Sequence, residues 1–267
     1  MSNYITKTDY ITQREKEVIG RLSYEKKDIV TRDQFDAYFY KYPKNVRSKL
    51  IFRLKKKGIL KKIKNGLYIY SPIEAGPGGR NISEYRIPEL LFPGGEYYMG
   101  YSPMYNYYRF TDQIYQVVYL LNTKLQRTID AGGLRFNLLK IPKSRMYGIT
   151  EADFTGAKVR VSDRERTLVD LLYYSAPAGG LKKAYKIMTD EIISGRAKLK
   201  KFIAYLEIFP SAYVRKRAGY MLEKAGIKTG SLVKTINSYS LMTLYEGRSR
   251  KGEIDKKWGV IINDSQG

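Results

Sequence analysis

The stretch from Lys41 to Tyr70 constrains the fold more than any other part of this 267-residue sequence. Apolar residues recur in it at the spacing of one helical face: Val46, Leu50, Ile51 and Leu54. This periodicity predicts a helix from about Pro43 to Lys57 with one buried stripe. Gly58 follows three lysines, as expected where a helix ends in a left-handed residue and cations meet the negative end of its dipole.

Two short β-type runs follow this helix and meet at Asn65-Gly66. Asn-Gly between such runs is typical of a hairpin with a type I′ turn, in which both central residues have positive φ. The second run, Leu67 to Tyr70, alternates aliphatic and aromatic residues. We therefore predict a β-hairpin directly after the helix.

The same stretch carries charge of one sign, because it contains no Asp or Glu between Lys41 and Lys64. Its basic residues are Lys41, Lys44, Arg47, Lys49, Arg53, Lys55, Lys56, Lys57, Lys61, Lys62 and Lys64. Most lysine-rich helix faces are merely solvated, but such faces usually mix both signs. A uniformly basic helix followed by a basic hairpin is instead typical of a winged helix-turn-helix, which binds duplex DNA.

Two shorter helices are predicted upstream, each starting at a capping box. The boxes pair Thr12 with Glu15 and Thr31 with Gln34. The segment between them, Ile29-Val30, is predicted to be a short strand. The second and third helices would then form the helix-turn-helix itself, and the hairpin would form the wing.

A cluster of Gly and Pro at Gly76–Gly79 marks a predicted linker. We place the boundary there, which gives a winged helix-turn-helix over residues 1–75 and a second domain over residues 76–267. Apolar runs such as Gln116–Leu121 and Leu134–Ile141 predict a small sheet, and the later periodicity predicts helices. The fold class is therefore α+β: an N-terminal winged helix-turn-helix followed by a mixed α/β domain with a helical C-terminal part.

Composition narrows the classes of function. The formal net charge is +23, which favours a polyanionic partner such as nucleic acid. The sequence has no Cys and no His, which excludes thiolate or imidazole zinc sites, Cys nucleophiles and Ser-His-Asp catalysis. It shows no signal core and no apolar run long enough to cross a bilayer. We expect a cytoplasmic protein with no membrane partner and no cofactor.

Helical geometry divides the basic residues by role. The predicted face opposite the apolar stripe carries Asn45, Ser48, Lys49, Phe52, Lys55 and Lys56. Residues near the start of a recognition helix read base edges, so Asn45, Ser48 and Lys49 are candidates for sequence recognition, flanked by Lys44 and Arg47. The candidates for phosphate contact are Lys55, Lys56, Lys61, Lys62 and Lys64. Phe52 suits a thymine methyl group, but we favour packing beneath the hairpin.

Two other classes of function are considered. Asp163, Glu165 and Asp170 would suit a metal-dependent enzyme acting on nucleic acid. We favour structural roles, with Ser162 and Glu165 forming a capping box and Asp170 holding Arg166. The 26 tyrosines suggest single-stranded RNA binding, although those at 105, 107 and 108 lie in an apolar helix. A second basic surface could meet an acidic toxin or flanking DNA, although we favour solvated helix faces; its residues are Lys198, Lys200, Lys201, Arg215, Lys216 and Arg217.

Several segments carry a resemblance to a known family. They are YYMGYSPMYNYYRFTDQ (97–113), VVYLLNTK (117–124), VSDRERTLVDLL (161–172), AGGLKKA (178–184), YVRKRAGYMLEKAG (213–226) and KKWGVIIN (256–263). In this order, after a winged helix, the chain resembles the AbiEi-type antitoxins of bacterial toxin-antitoxin and abortive-infection systems. Two positions depart from the family: Arg109 stands where a Gly usually closes the tyrosine-rich helix, and Arg164 where a Pro commonly follows the Asp.

The resemblance implies a regulator without enzymatic activity. Its N-terminal domain would bind inverted repeats in its own promoter, as pairs of monomers, and repress the operon. Its C-terminal domain would counteract a toxin of the nucleotidyltransferase type, encoded next door, either by direct contact or indirectly. These are expectations from the family and do not follow from composition.

Overall fold

The structure, a computed structural model, describes residues 10–71, 84–113, 115–131, 134–154, 156–247 and 249–263. The chain divides into two compact units. The first comprises Met1–Gly94, Thr128–Phe136 and Phe154–Ala157, and the second comprises the remainder. The predicted boundary between residues 75 and 76, with its Gly-Pro linker, lies outside the described residues.

The first unit begins with an alternation of short helices and strands. In chain order these are α1 (Gln13–Tyr24), β1 (Ile29–Thr31), α2 (Arg32–Tyr38), α3 (Lys44–Lys56), β2 (Leu60–Lys64), β3 (Leu67–Tyr70) and α4 (Ile87–Leu91). Both predicted capping boxes are present: the side chains of Thr12 and Glu15, and of Thr31 and Gln34, bond each other's backbone N–H groups. The starts of α1 and α2 are therefore predicted by these four residues alone.

The strands of this unit form a three-stranded antiparallel sheet in the order β1-β3-β2. The hairpin between β2 and β3 is confirmed, with Lys64 paired with Leu67 across the turn. The predicted type I′ turn is wrong. Gly66 has a φ of 74°, but Asn65 is not among the described non-glycine residues with positive φ. A register shift between Lys62 and Lys64 accompanies this different turn.

The core of the first unit lies between α1, α2, α3 and the three-stranded sheet. Val18 and Leu22 of α1, Phe35 of α2 and Leu54 of α3 are fully buried and belong to one apolar cluster with Val30. Full burial of a large apolar side chain stabilises the fold by about 1.5–3 kcal/mol. The buried stripe of α3 is therefore part of what holds this unit together.

A six-stranded sheet has the order β6-β7-β5-β4-β9-β8. Its strands are β4 (Tyr97–Gly100), β5 (Val117–Asn122), β6 (Arg127–Ala131), β7 (Leu134–Lys140), β8 (Ile149–Phe154) and β9 (Ala157–Ser162). The pair β4 and β5 is antiparallel, and β4 and β9 are parallel. β6 and β8 were not predicted, because as edge strands they carry mostly exposed residues instead of an apolar run.

The second unit is largely helical beyond the sheet. Its helices are α5 (Ser102–Tyr107), α6 (Arg164–Tyr173), α7 (Leu181–Ile193), α8 (Leu199–Ile208) and α9 (Ala212–Lys224). Three short strands, β10 (Met242–Thr243), β11 (Glu253–Asp255) and β12 (Val260–Ile262), form a small sheet. Trp258 is fully buried, and a Cβ on Gly219 of α9 would lie 2.1 Å from its ring, so this close approach requires glycine.

These elements confirm the coarse α+β assignment. None of the described helices has the length and apolar character needed to cross a membrane. The predicted helix Leu181–Ile193 is found with the same bounds.

Candidate nucleic-acid interface

Helix α3 owes its orientation to its apolar stripe. Leu50, Ile51 and Leu54 are buried, and Val46 is half-buried against the same cluster. The helix starts after Pro43 and ends before Gly58, whose φ of 73° is the predicted left-handed stop. Because the stripe is fixed in the core, the opposite face of α3 points away from it.

The face of α3 opposite the stripe is exposed and carries most of the predicted site. Exposed residues on this helix are Lys44, Asn45, Ser48, Lys49, Phe52, Arg53, Lys55 and Lys56. Phe52 is 66% exposed, so the interpretation that it packs beneath the hairpin is wrong. Arg53 was missed as a site residue, although its position four residues after Lys49 places it on this face.

Arg47 is engaged within the first unit. Its Nε lies 2.7 Å from Oδ1 of Asp36, and one Nη donates a 2.8 Å hydrogen bond to the carbonyl of Tyr42. Arg47 therefore ties the start of α3 to α2 and to the intervening loop. Its contact with DNA stays a prediction.

Ser48 is also engaged within the unit. Its hydroxyl donates to the carbonyl of Lys44 at 3.0 Å and accepts a 3.1 Å hydrogen bond from Arg32. It remains exposed, so it keeps access to solvent while Arg32 brings a further guanidinium to this end of α3. No sequence pattern predicted this contribution of Arg32, because the two residues are 16 positions apart.

The lysines of the hairpin differ in exposure. Lys62 is exposed, whereas Lys61 and Lys64 are half-buried. Lys64 Nζ lies 3.4 Å from the carbonyl of Leu91, which draws it toward α4. Lys62 is therefore the hairpin lysine with the greatest freedom to meet a phosphate.

Three carboxylates near this surface are neutralised by specific cations. Glu15 accepts from Lys57 at 2.8 Å, Glu17 pairs with Lys41 at 2.9 Å, and Asp36 pairs with Arg47 and Arg32. Burial tends to raise the pKa of Glu15, but hydrogen bonds from Lys57 and from the Thr12 N–H hold its pKa below the ordinary value.

The other basic side chains of the stretch have no acidic partner among the described residues. Within the described residues, no carboxylate lies within 4.0 Å of Lys44, Lys49, Arg53, Lys55, Lys56, Lys61, Lys62 or Lys64. Glu15, Glu17 and Asp36 instead hold cations beside the ends of α3 or on its inner side. This arrangement concentrates positive potential on one exposed helix face.

The three carboxylates considered for metal chemistry are each engaged by hydrogen bonds or ion pairs within the second unit. Asp163 caps α6 by accepting from the Arg166 N–H at 2.8 Å, so the predicted capping box of Ser162 and Glu165 is wrong. Glu165 accepts from the Lys198 N–H at 2.8 Å, and Asp170 is paired with Arg166 at 2.9 Å as predicted. The described residues contain no group of acids, Cys or His arranged to hold a metal ion.

Two of the six residues of the basic surface considered in the second unit are internal. Lys216 and Arg217 are only 3% and 5% exposed, and Lys216 donates to the carbonyl of Ser240. Arg217 binds Glu246 at 2.7 Å, and Lys201 lies between Asp163 and Glu165. The surface position is therefore wrong for Lys216 and Arg217, whereas Lys201 is exposed but paired.

Comparison with known proteins bears on the fold. No family model matches the chain, and no curated protein matches it. A crystal structure of the RV2827C protein from Mycobacterium tuberculosis is similar, with a TM-score of 0.64 over 94% of this chain and 92% of that one. The two sequences are 13% identical, so the similarity concerns the fold alone.

Proposed function

We propose that this protein is a DNA-binding transcriptional repressor whose first unit is a winged helix-turn-helix, with α2 and α3 as the helix pair and the β2–β3 hairpin as the wing. The observation that carries the proposal is the outer face of α3, where exposed basic residues have no acidic partner among the described residues. An α-helix with such a face fits the major groove, and its cations replace counterions on the phosphates.

The residues divide by their position along α3. Asn45 and Lys49 lie in its first turns and are exposed, so they are the groups proposed to meet base edges, with Ser48 beside them. Lys55 and Lys56 at its end, and Lys62 on the hairpin, are proposed to hold phosphates. Phe52, exposed between these two groups, is proposed to contact a thymine methyl group.

The biological role rests on the resemblance to the AbiEi-type antitoxins. In that role the protein binds inverted repeats in its own promoter as pairs of monomers, represses its operon in the cytoplasm, and has no enzymatic activity. The second unit counteracts a nucleotidyltransferase toxin, directly or indirectly. Co-expression with the product of a neighbouring nucleotidyltransferase gene tests this role, and a toxin that stays fully active would contradict it.

Footprinting on the DNA upstream of the protein's own reading frame tests the DNA-binding role. We expect a protected inverted repeat and a loss of about 1–3 kcal/mol of binding free energy on changing Asn45 or Lys49 to Ala, with relaxed sequence preference. The loss should be larger on the operator than on random DNA of the same length.

Lys16→Ala is the matched control, because Lys16 is an exposed lysine on α1 of the same unit. It should leave operator affinity within about 0.5 kcal/mol of the parent value. Equal losses in Lys16→Ala and Lys49→Ala would mean that α3 has no special role. Affinity for the operator no higher than for random DNA would remove sequence recognition from the proposal.

A further inference from the structure

A cavity in the second unit lies apart from the α3 surface. Its volume is about 610 Å³, within the range of small-molecule sites. It is formed by α7, by the end of α9 and by the segment that follows β10. Its lining residues are Gly179, Lys182, Lys183, Tyr185, Lys186, Thr189, Met221, Lys224, Leu244 and Tyr245.

The floor of the cavity is apolar and fixed in place. Tyr185 is 1% exposed, and its hydroxyl donates a 3.2 Å hydrogen bond to the carbonyl of Leu244. Its ring packs edge-on against Tyr245 with the centroids 5.9 Å apart. Met221 completes the floor from α9. The two tyrosine rings are almost wholly buried, so they hold the floor in place from beneath, and the half-buried Met221 supplies the apolar surface that a ligand meets.

The rim of the cavity is cationic. Lys182, Lys183 and Lys186 extend from α7, and Lys224 comes from the last turn of α9. Among the described residues, the carboxylate found within 4.0 Å of these lysines is that of Asp190, which lies 3.3 Å from Lys186 and does not line the cavity. The rim therefore holds unneutralised positive charges close together, and like charges spaced i,i+4 on a helix repel.

We propose that this cavity binds a nucleoside polyphosphate, with the base on the apolar floor and the phosphates among the four lysines. A bare anion would use the rim but leave the floor in water, whereas an apolar ligand would leave the lysines unpaired. The several charges of a diphosphate or triphosphate match the rim better than one phosphate does. Gly179 lines the cavity where α7 starts without a side-chain cap, so backbone N–H groups border the same end.

Anisotropy titration of a fluorescent ATP analogue with the full-length protein tests the site. We expect saturation with a micromolar Kd. Competition should rank ATP above ADP and ADP above AMP, with adenosine and pyrophosphate both weaker than ATP, because each supplies only one half of the contacts. These titrations contain no DNA, so their outcome is independent of the proposed repressor role.

Charge reversal of the rim separates this site from general attraction to a basic protein. Lys183→Glu with Lys224→Glu should weaken ATP binding by more than about tenfold. Lys198→Glu with Lys200→Glu is the matched control, because both are exposed lysines at the start of α8. The control should keep its affinity within about twofold. Met221→Glu tests the floor and should also weaken ATP binding.

Several results would overturn the proposal. One is the absence of saturation at about 1 mM analogue. Another is equal loss of binding in the rim and control variants while all of them keep the parent melting temperature. If pyrophosphate competed as strongly as ATP, the base would contribute no affinity and the cavity would be only an anion site. Stronger competition by a single-stranded oligonucleotide or an acidic peptide would assign the cavity to a macromolecule. If a rim variant fails to fold, the ATP–pyrophosphate comparison on the parent protein still decides.

Discussion

The basic residues on α3 of the first unit and the buried arginines of the second unit are used in opposite ways. On α3 of the first unit, residues such as Lys49 and Lys55 are exposed, with no acidic partner among the described residues. In the second unit, Arg166 is fully buried and Arg217 is 5% exposed, and each pairs with a carboxylate. The net charge of +23 therefore does not locate a binding surface. Pairing and exposure locate it, and they single out α3 and the rim of the α7–α9 cavity.

We expect the largest loss of stability from removing the carboxylate that lies beside two buried arginines. Asp170 is fully buried, pairs with Arg166 at 2.9 Å and lies 3.7 Å from Arg145. Asp170→Ala should destabilise the protein by about 3–5 kcal/mol, because it leaves buried guanidinium groups without a counter-charge. Thermal unfolding followed by circular dichroism measures the effect.

Asp190→Ala is the control for this change. Asp190 also pairs with a basic residue four positions away on one helix, Lys186, but both side chains are more than half exposed. Its loss should cost about 0–1 kcal/mol. Similar melting temperatures for the two variants would mean that the buried network contributes no more than a solvated pair.

The first unit also contains an internal ion pair, which shows that its basic residues are not all exposed. Glu15 is fully buried, and Lys57 holds it from the end of α3. Lys57→Met should destabilise the protein by about 2 kcal/mol, because it leaves a buried carboxylate without its cation. Lys16→Met, a change of an exposed lysine on α1, should have little effect.

The pH dependence of stability gives this prediction a sign. The pKa of Glu15 is lowered in the folded protein, so its contribution is present above its unfolded value of about 4.3 and is lost as pH falls through the folded pKa. In Lys57→Met, burial should instead raise the pKa of Glu15 above the unfolded value. The Glu15 contribution would then become less unfavourable as the pH falls. Urea unfolding at several pH values measures this dependence. If the stability of Lys57→Met changed with falling pH in the same way as that of the parent protein, this account would be contradicted.

Local sequence predicted part of this arrangement. The capping boxes at Thr12 and Thr31 and the apolar stripe of α3 involve neighbours on one helix, so their pattern was readable. The partners of Asp163 and Glu165 could not be predicted in this way, because Lys201 and the Lys198 N–H lie more than thirty residues further along the chain. The cavity was missed for the same reason, since it joins residues of α7 and α9 with Leu244 and Tyr245.

Salt dependence distinguishes free lysines from paired ones. If Lys55 and Lys56 contact phosphates, changing either to Ala should reduce the slope of log K against log salt concentration by about 0.9. Lys201→Ala should leave the slope unchanged, because Lys201 is shared between Asp163 at 3.0 Å and Glu165 at 3.2 Å. The slopes of the variants and the parent protein are obtained from operator binding measured between about 50 and 200 mM salt. Equal slopes for Lys55→Ala and the parent would remove Lys55 from the interface.

Backbone strain offers a smaller test in which the two units should behave alike. Lys26 in the first unit and Arg109 in the second have positive φ values of 49° and 60°, and both are exposed. Replacing either residue with Gly should stabilise the protein by about 0.5–1 kcal/mol, because Gly adopts this conformation without a clash at Cβ. The gain should be similar at both sites, since it comes from local geometry and not from charge. Lys16→Gly, at an exposed position inside α1, should destabilise by about 1 kcal/mol. A loss of stability in Arg109→Gly would show that the Arg109 side chain makes a stabilising contact that outweighs the strain.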